Sequence, residues 1–197
     1  MQTSVEFFDT QFSKQVLQEQ HVLNPFELLT LPYLAGEVLD FGCGLGNLSI
    51  AAAEAGCNVL ALDASPTAVT YLQEVASRRG LPISAIEADL RCYRIDACFD
   101  TVVSIGLLMF FDRRTALAQL AQMQSSVRLG GILSVNVLIE GTTFLSMFDP
   151  ASYYLFGADE LSALLAGWDI LAESFHEFDA PQSTVKRFAT VIARRKV

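Results

Sequence analysis

The chain predicts an α/β fold: a doubly wound, seven-stranded, mostly parallel sheet with an antiparallel last strand and an N-terminal helical lid. Three observations carry that prediction. Apolar, β-branched runs of strand length alternate with stretches of helical periodicity between Val38 and Ile139, an order that demands right-handed crossovers and a parallel sheet covered on both faces. The first run closes in a glycine-rich turn, Asp40-Phe41-Gly42-Cys43-Gly44-Leu45-Gly46-Asn47. Acids stand at three successive strand ends, Asp40, Asp63 and Asp89, and in such a sheet these ends meet on one edge, where ligands bind.

The 197 residues suit one domain, 1–197, with 1–35 as a helical cap within it. Val5 to Leu23 carries Phe7, Phe8, Phe12, Val16 and Leu17 at near-helical spacing, which predicts one amphipathic helix, either a lid over the ligand site or a helix packed on the core. Pro25 and Pro32 break the next region into short pieces, and the first strand begins after Gly36. A helix from Leu48 to Ala55 stops at Gly56, and a second strand, Asn58 to Leu62, is finished by Asp63. Ser65-Pro66 supplies an N-cap and a first-turn proline to a helix over Pro66 to Arg79, which Gly80 and Pro82 terminate. Strands follow at Ile83 to Ala88 and Phe99 to Ile105, and Asp112 caps a helix from Arg113 to about Val127. Leu129-Gly130-Gly131 is expected to turn into a strand from Ile132 to Ile139. The aromatic stretch from Thr142 to Phe156 is too long for a simple connection and is expected to hold substrate. A helix from about Asp159 to Ala166 and an antiparallel pair, Trp168 to Phe178 and Val185 to Arg194, complete the sheet.

Composition removes several classes. Hydrophobic residues make up 52% and mean hydropathy is +0.37, yet no run reaches the roughly 18 uncharged apolar residues of a membrane span; the excess belongs to a buried sheet and no membrane partner is expected. A net charge of −9 opposes nucleic-acid binding. Cys43, Cys57, Cys92 and Cys98 form no CxxC pair and have no histidine at metal-ligand spacing, so neither a metal site nor a disulfide framework is expected. With an N-terminus unlike a signal peptide, a cytoplasmic monomer or homodimer is the expectation.

Glycines at 42, 44 and 46 let the backbone take positive φ and let a bound molecule approach the main chain, while a helix starting near Asn47 aims free N–H groups inward. That points to a nucleoside. Asp63 lies about 20 positions beyond Gly42, the distance at which an acid reaches ribose hydroxyls. The dinucleotide fingerprint is GxGxxG, whereas here one residue separates the second and third glycines, so nicotinamide is the less favoured nucleotide-type ligand. A binding protein without catalysis also stays open, since fold does not fix function.

The run from Asp40 to Gly46 resembles the first motif of class I S-adenosylmethionine-dependent methyltransferases, and the strand-helix units closed by a strand pair extend the resemblance to essentially the whole chain. It implies that S-adenosylmethionine is the cofactor and that Asp40, Gly42, Gly44 and Gly46 wrap its methionine moiety, with Cys43 and Asn47 in the same turn. Asp63, followed by Ala64, would hold the ribose diol, Asp89 with Leu90 would face the adenine, and Ser104 and Ile105 would line the methyl-bearing end. Leu107 to Phe111, Phe156 to Leu161, Gly167-Trp168 and Arg187 to Arg194 are similar to the tellurite-resistance methyltransferases of the TehB type. That likeness implies a small-molecule acceptor, a chalcogen oxyanion such as tellurite or selenite, or a thiol, with His176 and Arg187 as catalytic residues in the substrate pocket and His21 at a family position. Glu177 follows His176 where the family has arginine, replacing a cation with an anion. O- or N-methylation of another small metabolite is the alternative.

Overall fold

The computed structural model describes residues 2–17 and 22–197. Helix α1, Gln2–Leu17, supplies the first part of the expected amphipathic helix; His21 lies outside the described residues. Asn24 then opens the short helix α2, Pro25–Thr30, as a capping box: its side chain accepts from the Phe26 and Glu27 amides, and Glu27 accepts in return from the Asn24 amide at 2.7 Å. Pro25 occupies the first turn, where its missing N–H costs nothing.

Strands β1 (Glu37–Phe41), β2 (Asn58–Asp63), β3 (Ile83–Glu87), β4 (Phe99–Ile105), β5 (Val127–Leu138), β6 (Asp169–Ala180) and β7 (Thr184–Arg194) form one sheet in the order β3-β2-β1-β4-β5-β7-β6. The first five run parallel; β7 is antiparallel to both β5 and β6, so it alone is reversed. Helices α3 (Asn47–Glu54), α4 (Pro66–Arg79), α5 (Arg113–Ser126) and α6 (Glu160–Leu164) connect them. The expected architecture is therefore the observed one.

Period-two alternation sorts the strand side chains into two layers. Val38, Val59, Ala61 and Ala85 pack with Ala52, Ala53, Val69 and Leu72 of α3 and α4. Leu39, Val102, Leu133, Val135 and Val191 pack on the other face with Ala116, Leu120 and Met123 of α5 and Leu161 of α6. Helix α4 keeps the limits set by its punctuation: Ser65 Oγ accepts from the Ala68 amide, and Gly80 adopts φ +63° at the C-terminus.

One boundary differs. The expected turn at Leu129-Gly130-Gly131 lies inside β5, which begins at Val127. The pairing with β4 is irregular there, and Arg195 closes it by accepting from the Gly130 amide at 2.8 Å and donating to the Gly131 carbonyl at 2.9 Å. The glycines serve a bulge, a use that local sequence shares with a turn. Among the described residues no helix is long and apolar enough to cross a membrane.

Candidate active site

The ends of β1, β2 and β4 open into a cavity of about 730 Å³. The glycine turn forms its floor because β2 holds it there: the Gly42 and Cys43 amides donate to the Leu62 carbonyl at 2.8 and 3.0 Å, and the Gly44 amide donates to Asp63 Oδ2 at 2.8 Å. Asp63 Oδ1 accepts from the Ser65 amide at 2.9 Å, so one carboxylate fixes both the glycine turn and the start of α4. Gly42, at φ +91°, could carry no side chain, since a Cβ would stand 2.9 Å from Leu107.

Asp40, 4% exposed, accepts from Ser49 Oγ at 2.6 Å, which ties β1 to α3. Burial pushes its carboxyl up to about 7, with the Ser49 bond opposing and the charges of Glu27 and Asp63 assisting. Burial raises Asp63 too, against the backbone N–H groups that bond it. Glu27 also lines the cavity, and burial pushes its carboxyl up. Three carboxyls whose charged forms burial disfavours are thus gathered at one end of the cavity. Burial raises the Cys43 thiol well above its ordinary value, which leaves it unsuited to act as a nucleophile.

Helix α1 roofs this end. Asp9 accepts from Ser65 Oγ at 2.5 Å, Ser4 donates to the Met147 carbonyl at 3.2 Å, and a Cβ on Gly44 would meet the Phe12 ring at 3.2 Å. Beyond β4 the wall becomes aromatic: Phe8 meets Phe110 edge-on at 5.1 Å, and Phe110 lies 4.9 Å from Phe148. Asn136 of β5 is fully buried there, donating to Thr190 Oγ1 at 2.9 Å while its Oδ1 has no hydrogen-bond partner.

Of the residues expected to bind cofactor, Asp40, Gly42, Cys43, Gly44, Asn47, Asp63, Ala64, Leu90 and Ile105 line the cavity. Gly46 stands behind it as the N-cap of α3. Ser104 is buried with an unpartnered hydroxyl, and it is not part of the lining. Asp89 is turned away: Arg91 Nε and Nη2 donate to its two oxygens at 2.8 and 2.6 Å. Neither proposed catalytic residue lines the cavity. The His176 ring packs edge-on against Phe26, with centroids 5.6 Å apart, one layer behind the wall. Arg187 pairs with Glu177 at 3.1 Å and lies beside Gly141, while its neighbours Lys186 and Phe188 reach the cavity. Sequence reading also missed Ser49, Glu27 and Asn136. The Asn24-to-Glu27 spacing of a capping box was the available signal for Glu27.

Similarity to known proteins agrees with the fold. Residues 38–131 match the family model described as a methyltransferase domain. The fold of the Haemophilus influenzae TehB crystal structure covers 96% of this chain and 67% of that one with a TM-score of 0.78 at 21% identity. The chain has the class I methyltransferase fold and is similar to TehB. In sequence, the chain is 26% identical over 167 residues to the "Probable S-adenosyl-L-methionine-dependent methyltransferase TehB" of Haemophilus influenzae, covering 81% of the chain and 57% of that relative. It is 35% identical over 125 residues to the "Cypemycin N-terminal methyltransferase" of a Streptomyces species, covering 64% and 47%. The chain thus spans about half the length of these curated relatives.

Proposed function

We propose that the chain is a cytoplasmic S-adenosylmethionine-dependent methyltransferase acting on a small molecule, with a thiol or a reduced chalcogen oxyanion as the nucleophile. The observation that carries this reading is one cavity with an acidic end beneath the glycine turn and an aromatic end beyond β4.

The residues present fit the cofactor. Asp40 keeps a buried carboxylate for the cofactor's ammonium group, Asp63 retains lone pairs for ribose hydroxyls beyond its backbone bonds, and Asn47 Oδ1 is buried without a partner. When bound, S-adenosylmethionine supplies an electrophilic methyl group on a sulfonium centre. The chain's own task is then to orient a nucleophile and keep the space dry, which the rings of Phe8, Phe110 and Phe148 do by packing together. A soft nucleophile that enters already as its anion, a thiolate whose proton has gone to solvent or a reduced chalcogen oxyanion, needs no general base, and this suits a wall from which His176 is screened by Phe26. Of the two soft classes, the apolar wall favours the thiol.

Calorimetric titration with S-adenosylhomocysteine tests the cofactor half, and turnover with small thiols, tellurite and selenite tests the acceptor half. Micromolar binding together with a methylated thiol or chalcogen product is the expected result. Absence of binding defeats the assignment; binding without turnover of any acceptor leaves a cofactor-binding protein.

A further inference from the structure

The cavity wall is divided by charge. Glu27, Asp40 and Asp63 gather at the cofactor end, and Lys186 is the one basic residue among the described lining residues. Lys186 belongs to β7, three strands from β1 in the sheet, or about 14 Å in the hydrogen-bonding direction. Its Nζ lies 4.6 Å above the Phe144 ring, and Phe26, Met147 and Phe188 line the same cavity. No acid pairs with it among the described residues, whereas Arg187, one position on, faces the other way and is neutralised by Glu177. Burial lowers the Lys186 ammonium from its usual range, the mark of a cation stripped of water without a compensating anion.

We infer that Lys186 receives the carboxylate of the methyl acceptor, which is an organic anion whose apolar or aromatic body lies against Phe26, Phe144 and Phe188. This rests on the methyltransferase reading and narrows its acceptor. An inorganic oxyanion is hydrated on every side and would gain one cation while losing water to the rings around it. A carboxylate on an apolar body satisfies both the ammonium and the rings, and its charge complements a cationic cofactor at the opposite end. A lysine that merely packs on Phe144 would add local stability and show no preference between anionic and neutral ligands.

Benzoate and benzamide, equal in shape and different in charge, separate these roles. Each is titrated calorimetrically into protein saturated with S-adenosylhomocysteine, using wild type, Lys186→Met, Lys186→Arg and, as a remote variant with the same change in net charge, Lys196→Met. The expected result is that benzoate binds about tenfold or more tightly than benzamide to wild type and to Lys196→Met, in keeping with a hydrogen bond to a charged group. That preference disappears in Lys186→Met and survives in Lys186→Arg. A melting-temperature rise on adding S-adenosylhomocysteine verifies that each variant is folded and loaded. Equal binding of the two probes to the wild-type complex, binding of neither, or a preference retained in Lys186→Met overturns the inference. Failure of wild type to bind S-adenosylhomocysteine defeats the underlying reading and the inference with it.

Discussion

The two ends of the cavity are built by different means. At the cofactor end the positions are set by main-chain bonds: two amides of the glycine turn donate to the Leu62 carbonyl, and a third donates to Asp63. At the acceptor end the wall is made of ring contacts between side chains far apart in sequence, such as Phe8 with Phe110 and Phe110 with Phe148. Backbone geometry tolerates few changes, whereas a packed wall can be remodelled while the sheet below stays whole. Variants at the first end should therefore remove cofactor binding outright, and variants at the second should alter the acceptor and spare the cofactor.

The largest effect belongs to Gly44→Val. Its Cβ would press on Phe12 at 3.2 Å from a backbone at φ +52°, a conformation costing a β-branched residue about 1–3 kcal/mol. Titration should detect no S-adenosylhomocysteine binding, and near-normal affinity would mean that this turn does not hold the cofactor. Asp63→Ala comes next, because it frees the Gly44 and Ser65 amides together. Losing charge-assisted hydrogen bonds should weaken S-adenosylhomocysteine binding by about tenfold to a hundredfold.

The pH dependence sharpens the comparison further. With its carboxyl raised to about 7, native Asp40 retains a proton at pH values where the unfolded chain has released it. Its contribution makes the unliganded protein less stable as pH rises from the ordinary carboxylate range to about 7, and no further above that. An ammonium ligand needs the carboxylate, so S-adenosylhomocysteine affinity should move oppositely, weakening by up to about tenfold per pH unit below about 7. Titrations between about pH 5.5 and 8 on wild type and Asp40→Asn check this; a flat wild-type profile would remove Asp40 from the binding step.

The smallest effect is that of Asp9→Ala, which releases α1 from Ser65. A loss of about 1 kcal/mol is expected, seen as a melting temperature about 2–4 °C lower. A much larger fall would show that the helical roof supports the sheet as well as covering the cavity.

The same contrast explains what was legible in the sequence. Asp40, the glycines and Asp63 announce themselves because strand, turn and acid are contiguous, and the punctuation around α4 fixes both of its ends. For Asp89, strand-end position says nothing about a neighbour two residues away, and Arg91 bonds both carboxylate oxygens. At the acceptor end, resemblance drew attention to Arg187, whereas the alternation of β7 sends Lys186 and Phe188 to the cavity. Period-two reading of Lys186, Phe188 and Thr190 was the available signal. Asn136 had none, since Thr190, which accepts from its Nδ2, is supplied by a strand more than fifty residues away.

The reversal of β7 has a consequence for how the rim of the cavity is built. In a parallel strand the last residues reach the ligand edge; in β7 the first ones do, so the turn at Pro181–Ser183 and Lys186 arrive at the rim together. Gln182 and Ser183 take left-handed φ of 62° and 56° to make that turn, and Thr143 anchors the rim through its amide and hydroxyl to Val185. One hairpin thus carries both rim features, so exchanging it is expected to change the rim while the turn held by Asp40 and Asp63 stays in place.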